Sequence, residues 1–94
     1  MFERILNQLR EKIRTRQYVM TLHANEEMEE EELTIFDVES VILSGNIIER
    51  QKDSASGEWK YLVKGESLNG DPVITVTKIS PTGKLVVVTV FREE

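Results

Sequence analysis

The sequence predicts an α+β fold, with two to three N-terminal helices packed on a four-stranded antiparallel β-sheet. Two observations carry the prediction. Before Gly45 apolar residues recur at helical spacing, and after it they alternate with polar ones at a period of two. The four β-like runs that follow are joined by short segments that each contain a glycine, which implies antiparallel neighbours. At 94 residues the chain fits a single domain, 1–94, with a small core.

The helices come first. Phe2, Ile5, Leu6, Leu9 and Ile13 form one apolar stripe, which predicts a helix over about residues 2–15. Arg4, Arg10, Lys12, Arg14 and Arg16 lie mostly off that stripe. A second helix is expected from Thr21, an N-cap residue, to about Glu31. It carries Glu26, Glu27, Glu29, Glu30, Glu31 and Glu32, which repel one another with no i,i+4 lysine to relieve them. Packing through Leu22 and Met28, among others, is expected to hold it. The run "LTIFDVESVILSG" announces a third helix. Thr34 as N-cap and Asp37 at the third helical position have capping-box spacing, and Leu33 and Val38 are placed as a hydrophobic staple. Ile35, Val38, Val41 and Ile42 supply the apolar face, and Gly45 stands where a left-handed C-cap is expected.

The strands are read as "NIIERQK", "WKYLVKG", "VITVTKI" and "KLVVVTVF". In the second of these Trp59, Tyr61 and Val63 share one face, and Lys60, Leu62 and Lys64 the other. "SASGE" is a loop, "SLNGDP" a turn on Asn69-Gly70, and "SPTG" a turn. The last two strands are apolar on both faces, which predicts that they are central and covered.

Composition removes several function classes. There is no cysteine, hence no disulfide, thiol catalysis or thiolate metal site. The net charge of −5 is uneven. Residues 1–20 carry five basic and two acidic groups, residues 21–45 eight acidic and none basic, and residues 46–94 seven of each. An acidic domain matches bulk nucleic acid poorly, although local basic surface still reaches phosphate. The basic first helix and the acidic second region are expected to attract each other, within one chain or between two copies as a homo-oligomer. "MFERILNQLREKIRTRQ" has no uncharged apolar run, so no signal peptide is expected, and no stretch approaches membrane-spanning length. A soluble cytoplasmic protein without a membrane partner is the expectation. No glycine-rich phosphate loop and no Ser-His-Asp arrangement are present, and no cofactor is expected.

The stretch "LHANEEMEEEELTIFDV" places His23, Glu27 and Glu31 on one helical face at i, i+4 and i+8. Three readings are open there: a solvated face with a packed histidine, a His23 that moves a proton or touches RNA, and a divalent metal site. No metal ligand is assigned. The glutamates by themselves suit a basic partner protein.

"YVMTLHANEEMEEEELTIFDVESVILSGNIIERQKD", followed by "WKYLVKG" and "KLVVVTVF", resembles a bacterial family called domain of unknown function 4258. The likeness runs from about Lys12 to Arg92. Members of that family look like small toxins of the RelE and MqsR type, messenger-RNA endonucleases built from helices on an antiparallel sheet. Genes of this kind often lie beside an antitoxin with an MqsA-like zinc finger. The resemblance therefore implies a RelE-like fold, a toxin–antitoxin role, and an antitoxin, messenger RNA or the ribosome as partner. Around the histidine the family pattern is His-Ala-x-x-Arg-Met-x-x-Arg-x-Ile-Thr. His23, Ala24, Met28 and Thr34 match it, and Leu33 is a mild variant. Glu27 and Glu31 stand at the two arginine positions, which reverses the charge where phosphate would be contacted.

Metal-independent RNA cleavage needs a base for the 2′-hydroxyl, a cation for the phosphorane and an acid for the leaving oxygen. RelE-like enzymes are similar in drawing such groups from the sheet and its flanks. The residues assigned here are Arg50, Lys60 and Lys78 for phosphate, with His23 or Tyr61 handling the proton. Lys78 joins Lys60 if their strands are neighbours. Two readings follow from this: a toxin-like RNA endonuclease neutralised by an antitoxin, and a non-catalytic module that holds a partner protein through the acidic helix or the sheet surface.

Overall fold

The computed structural model describes residues 2–93. In chain order the elements are α1 (Glu3–Arg14), β1 (Tyr18–Met20), α2 (Leu22–Glu30), α3 (Ile35–Ser44), β2 (Asn46–Lys52), β3 (Trp59–Glu66), β4 (Pro72–Ile79) and β5 (Leu85–Arg92). The sheet has five strands in the order β1-β5-β4-β3-β2. The sheet is therefore five-stranded and mixed, not the expected four-stranded antiparallel one, although β2 to β5 are antiparallel neighbours in chain order. The fifth strand is β1: Tyr18, Val19 and Met20 pair in parallel with Leu85, Val86 and Val87. Three residues are too short to show a period of two, so β1 exists through its partner rather than through its own pattern.

The helix starts follow the sequence closely. The Thr21 hydroxyl accepts the Ala24 N–H at 3.1 Å and opens α2. The Thr34 hydroxyl accepts the Asp37 N–H at 3.3 Å while Asp37 accepts the Thr34 N–H at 2.8 Å, a complete capping box. The helix ends do not follow the sequence. Gly45 is extended, with φ −94° and ψ −174°, and is no left-handed cap. The left-handed positions are Arg16 after α1 and Glu32 after α2, at φ 57° and 56°. Each closes a Schellman turn, with Gln17 N–H donating to the Lys12 carbonyl and Leu33 N–H to the Met28 carbonyl, both at 2.8 Å.

All three helices lie on one face of the sheet, because α2 and α3 cross from edge strand β1 to edge strand β2 and α1 packs beside α3. Their buried residues Leu9, Ile13, Ala24, Leu33, Val38, Val41 and Ile42 form a single cluster with Val63, Val73, Leu85, Val87 and Val90 of the sheet. Leu22, expected to pack, is 75% exposed, and Ala24 is the buried contact of α2. Arg10 fastens α1 to the end of α3, donating to the carbonyls of Ile42 at 3.4 Å and Gly45 at 2.8 Å. That places a cation at a helix C-terminus, where the dipole favours it.

Within the covered face Thr75 is fully buried and its hydroxyl has no hydrogen-bond partner among the described residues. Its neighbour Thr77 is satisfied by the Tyr61 carbonyl at 3.0 Å. Removing an orphaned buried hydroxyl without changing shape relieves a desolvation penalty. Thr75→Val is expected to stabilise the protein by about 1 kcal/mol, which raises Tm by roughly 4–8 °C for a domain of this size. Thermal unfolding followed by circular dichroism checks this, and a lower Tm would show that the hydroxyl is satisfied in solution.

Candidate functional site

The face of the sheet away from the helices is open. On β3, β4 and β5 the residues that point there are Lys60, Leu62, Lys64, Ile74, Val76, Lys78, Val86, Thr89 and Phe91, as the pairing register requires; Ile74 is buried even so, and Leu62, Val76, Val86 and Phe91 are half-buried. None of them belongs to the core cluster beneath the helices. β4 and β5 are central as expected, but helices cover only one of their faces, and on the other Ile74 alone is buried.

Two of the cations assigned from the sequence meet on this face. Tyr61 pairs with Thr77, so the next step of the register sets Lys60 beside Lys78 on adjoining strands. Each lysine is matched by its own carboxylate: Lys60 with Asp53 and Lys78 with Glu58, both at 3.3 Å, and nearby Lys64 with Glu93 at 2.6 Å. The N–H groups of Ala55 and Ser56, then Lys60, hold the Asp53 carboxyl below the usual carboxylate range. The lysines and their carboxylates are all partly exposed, so solvent screens these pairs.

The other three assigned residues lie elsewhere. Tyr61 is buried on the helix side and meets the Phe2 ring edge-on at 6.4 Å. Arg50, paired with Tyr61 across β2 and β3, stacks over Trp59 at 4.1 Å as a cation–π contact. His23 sits on α2, which packs over β5 on the helix side, with its own side chain exposed. Among the described residues, the five thus do not gather at one point, and no imidazole or phenol reaches the lysine pair.

The acidic helix has a tertiary role that local spacing could not reveal. Glu27 points at the sheet and accepts the Val90 N–H at 3.1 Å, beside the bulge in β5, while its carboxylate also lies 3.3 Å from His23. Glu31 lies 3.7 Å from the Arg92 guanidinium, which also donates to the Glu31 carbonyl at 2.9 and 3.0 Å and to Asp71 at 2.8 Å. Arg92 thereby caps the C-terminus of a helix that has no basic residue in its last turn. Glu26, Glu29, Glu30 and Glu32 remain exposed. No group of three or more side chains able to hold a metal ion occurs among the described residues, nor is any helix of theirs long and apolar enough to cross a membrane.

The sequence did signal the apolar part of the open face, since β4 and β5 read as apolar on both sides. A strand pattern does not say how many layers cover it, so an apolar face that carries no helix reads the same as a buried one.

The fold is a mixed α and β domain with three helices on one face of a five-stranded sheet. The family model for a domain of unknown function, number 4258, matches residues 20–92, and the chain belongs to that family. No curated protein and no solved structure matches the chain.

Proposed function

We propose that this chain is a partner-binding protein on a toxin-like fold, the member of a cytoplasmic toxin–antitoxin pair whose open sheet face is covered by the antitoxin. The observation that carries this reading is the composition of that face. The half-buried Leu62, Val76, Val86 and Phe91 form its apolar middle around the buried Ile74, no helix of the described residues packs on it, and Lys60, Lys64 and Lys78 punctuate it. An apolar sheet face with a polar border is the composition of a protein interface. The likeness of this family's members to RelE- and MqsR-type toxins supports the choice of partner, a zinc-finger antitoxin.

A second reading, a metal-independent messenger-RNA endonuclease, is favoured by the adjacency of Lys60 and Lys78, which suits a phosphate. What weighs against it is the distribution of proton-transfer groups. Tyr61 is buried under the helices and His23 lies on the far side of the sheet, so the lysine pair would have to work with substrate groups alone.

One experiment separates the two. The protein is mixed with the product of the gene beside its own, and a defined messenger RNA is incubated with the protein, with and without ribosomes, in a chelator. The binding reading expects a complex by sedimentation, weakened about tenfold or more by Val76→Lys, and intact RNA throughout. Cleavage by wild type that is lost in folded Lys60→Ala establishes the nuclease. A complex indifferent to Val76→Lys and Val86→Lys removes the open face from the binding reading.

A further inference from the structure

A groove of ≈ 540 Å³ lies on the solvent side of α3, lined by Phe36, Glu39, Ser40, Leu43, Ser44 and Leu68. It is apolar and uncovered: Phe36 is 63% exposed, Leu43 40% and Leu68 67%. Large apolar side chains left in water at one place mark contact surfaces more often than chance. Phe36, Ser40 and Leu43 share a stripe of α3 opposite the core residues Val38, Val41 and Ile42.

Both walls of the groove are fixed. The Asp37 carboxylate accepts the Leu68 N–H at 2.9 Å, and the Ser67 hydroxyl accepts the Asp71 N–H at 3.1 Å, which holds the turn between β3 and β4. Ser40 donates to the Glu66 carbonyl at 2.8 Å, and the Glu66 N–H donates to the Ser44 hydroxyl at 3.2 Å, which ties α3 to the end of β3. The cleft is therefore formed in advance, and an occupant need not order it.

Charge selects the occupant. Glu39 is the charged residue of the lining, and it accepts a hydrogen bond from the Tyr18 hydroxyl. Segment 21–45, which includes all of α3, has eight acidic residues and no lysine or arginine. Arg10 is held by the Ile42 and Gly45 carbonyls and Arg92 by Glu31 and Asp71. The geometry points to this groove as the docking site for a basic amphipathic helix of a partner protein. Apolar anchors at i, i+3 or i+4 and i+7 enter between Phe36, Leu43 and Leu68, and flanking lysines or arginines face Glu39 and the exposed Glu66, whose backbone is bonded to Ser40 and Ser44 of the lining. The groove is separate from the open sheet face and does not rest on the reading of that face.

The test uses the full chain and three fluorescein-labelled helical peptides of about 18 residues. All have leucine at the anchor positions, and their polar faces carry lysine, glutamine or glutamate. Fluorescence anisotropy is expected to show saturable binding of the lysine peptide, weaker binding of the glutamine peptide and none of the glutamate peptide. Phe36→Ser and Leu68→Ser, both at exposed positions, are each expected to weaken the lysine peptide about tenfold, and Val76→Lys on the open sheet face to leave it unchanged. Raising salt from about 50 to about 500 mM is expected to weaken it several-fold. Lysine-peptide binding that ignores Phe36→Ser and Leu68→Ser is bulk charge attraction and overturns the assignment, as does the absence of binding. A concentration-dependent dimer in sedimentation that Phe36→Ser abolishes gives the groove to a second copy and overturns it too.

Discussion

Gly65→Ala is expected to destabilise the fold by about 3 kcal/mol or more, a large part of the roughly 5–15 kcal/mol that holds a domain of this size together. A Cβ at Gly65 would sit 2.2 Å from the Val41 carbonyl oxygen and 2.9 Å from the Val41 carbonyl carbon and Cα. These are backbone atoms of α3, so no side-chain rotation relieves the overlap, and the helix must lift from β3. Val41 and Val63, which close the core between those two elements, would separate with it. Gly45 faces the same seam from the other side, where a Cβ would meet the Lys64 carbonyl oxygen at 2.3 Å and the Val41 oxygen at 2.5 Å. Neither glycine has a positive φ, so the effect is one of close approach and not of backbone conformation. Where space allows, Gly→Ala stabilises by about 0.4–1 kcal/mol through the unfolded chain. The sign of the change therefore decides the matter. Urea titration of Gly65→Ala with an unchanged or higher midpoint would show that α3 does not pack on the β3 backbone as described.

Asp37→Ala carries the second large effect, an expected loss of about 2–4 kcal/mol. One carboxylate serves two elements. Its first oxygen accepts the Leu68 N–H at 2.9 Å, and its second accepts the Thr34 N–H at 2.8 Å and the Thr34 hydroxyl at 3.1 Å. The substitution opens the capping box and frees the turn between β3 and β4 together. Thr34→Ala, which removes only the cap hydroxyl, is expected to cost about 1 kcal/mol.

The same carboxylate predicts a pH dependence. The Thr34 N–H and then the Leu68 N–H hold the Asp37 carboxyl below its ordinary value of 3.8, against the opposing effect of burial, with smaller help from the Thr34 hydroxyl and Arg92. Its pKa is thus lower folded than unfolded, and the unfolded chain binds the proton more readily. The stabilisation is fully present above the unfolded value and is lost as pH falls below 3.8 toward the lower folded value. Urea midpoints measured from neutral pH down into that window are expected to fall for wild type and to fall less for Asp37→Asn. Equal slopes for the two proteins would show that the carboxylate is not held in this way.

The sequence by itself determined what depends on neighbours along the chain. Thr21 and Thr34 start their helices because a hydroxyl reaches an N–H within one turn, and the register of Asp37 to Thr34 is local as well. The stripe of Leu6, Leu9 and Ile13 and the alternation of Tyr61 and Val63 with Lys60 and Lys64 are periodicities of one element, and the buried faces follow them. The adjacency of Lys60 and Lys78 needed only the inference that short turns make neighbouring strands.

Tertiary structure decided what depends on distant backbone. Residues Tyr18–Met20 become a strand because Leu85–Val87 offers a free edge 67 positions further along the chain. Gly45 is demanded by the approach of Lys64 and Val41, which no local motif encodes. Glu27 reads as one more solvated carboxylate until Val90 supplies its N–H, and Glu31 as one more repelling charge until Arg92 arrives from the last strand. The open face belongs to the same class. A strand shows which of its sides are apolar, whereas the layer that covers each side depends on where the helical segments pass, and here α2 and α3, which connect β1 to β2, and α1 all lie on one side.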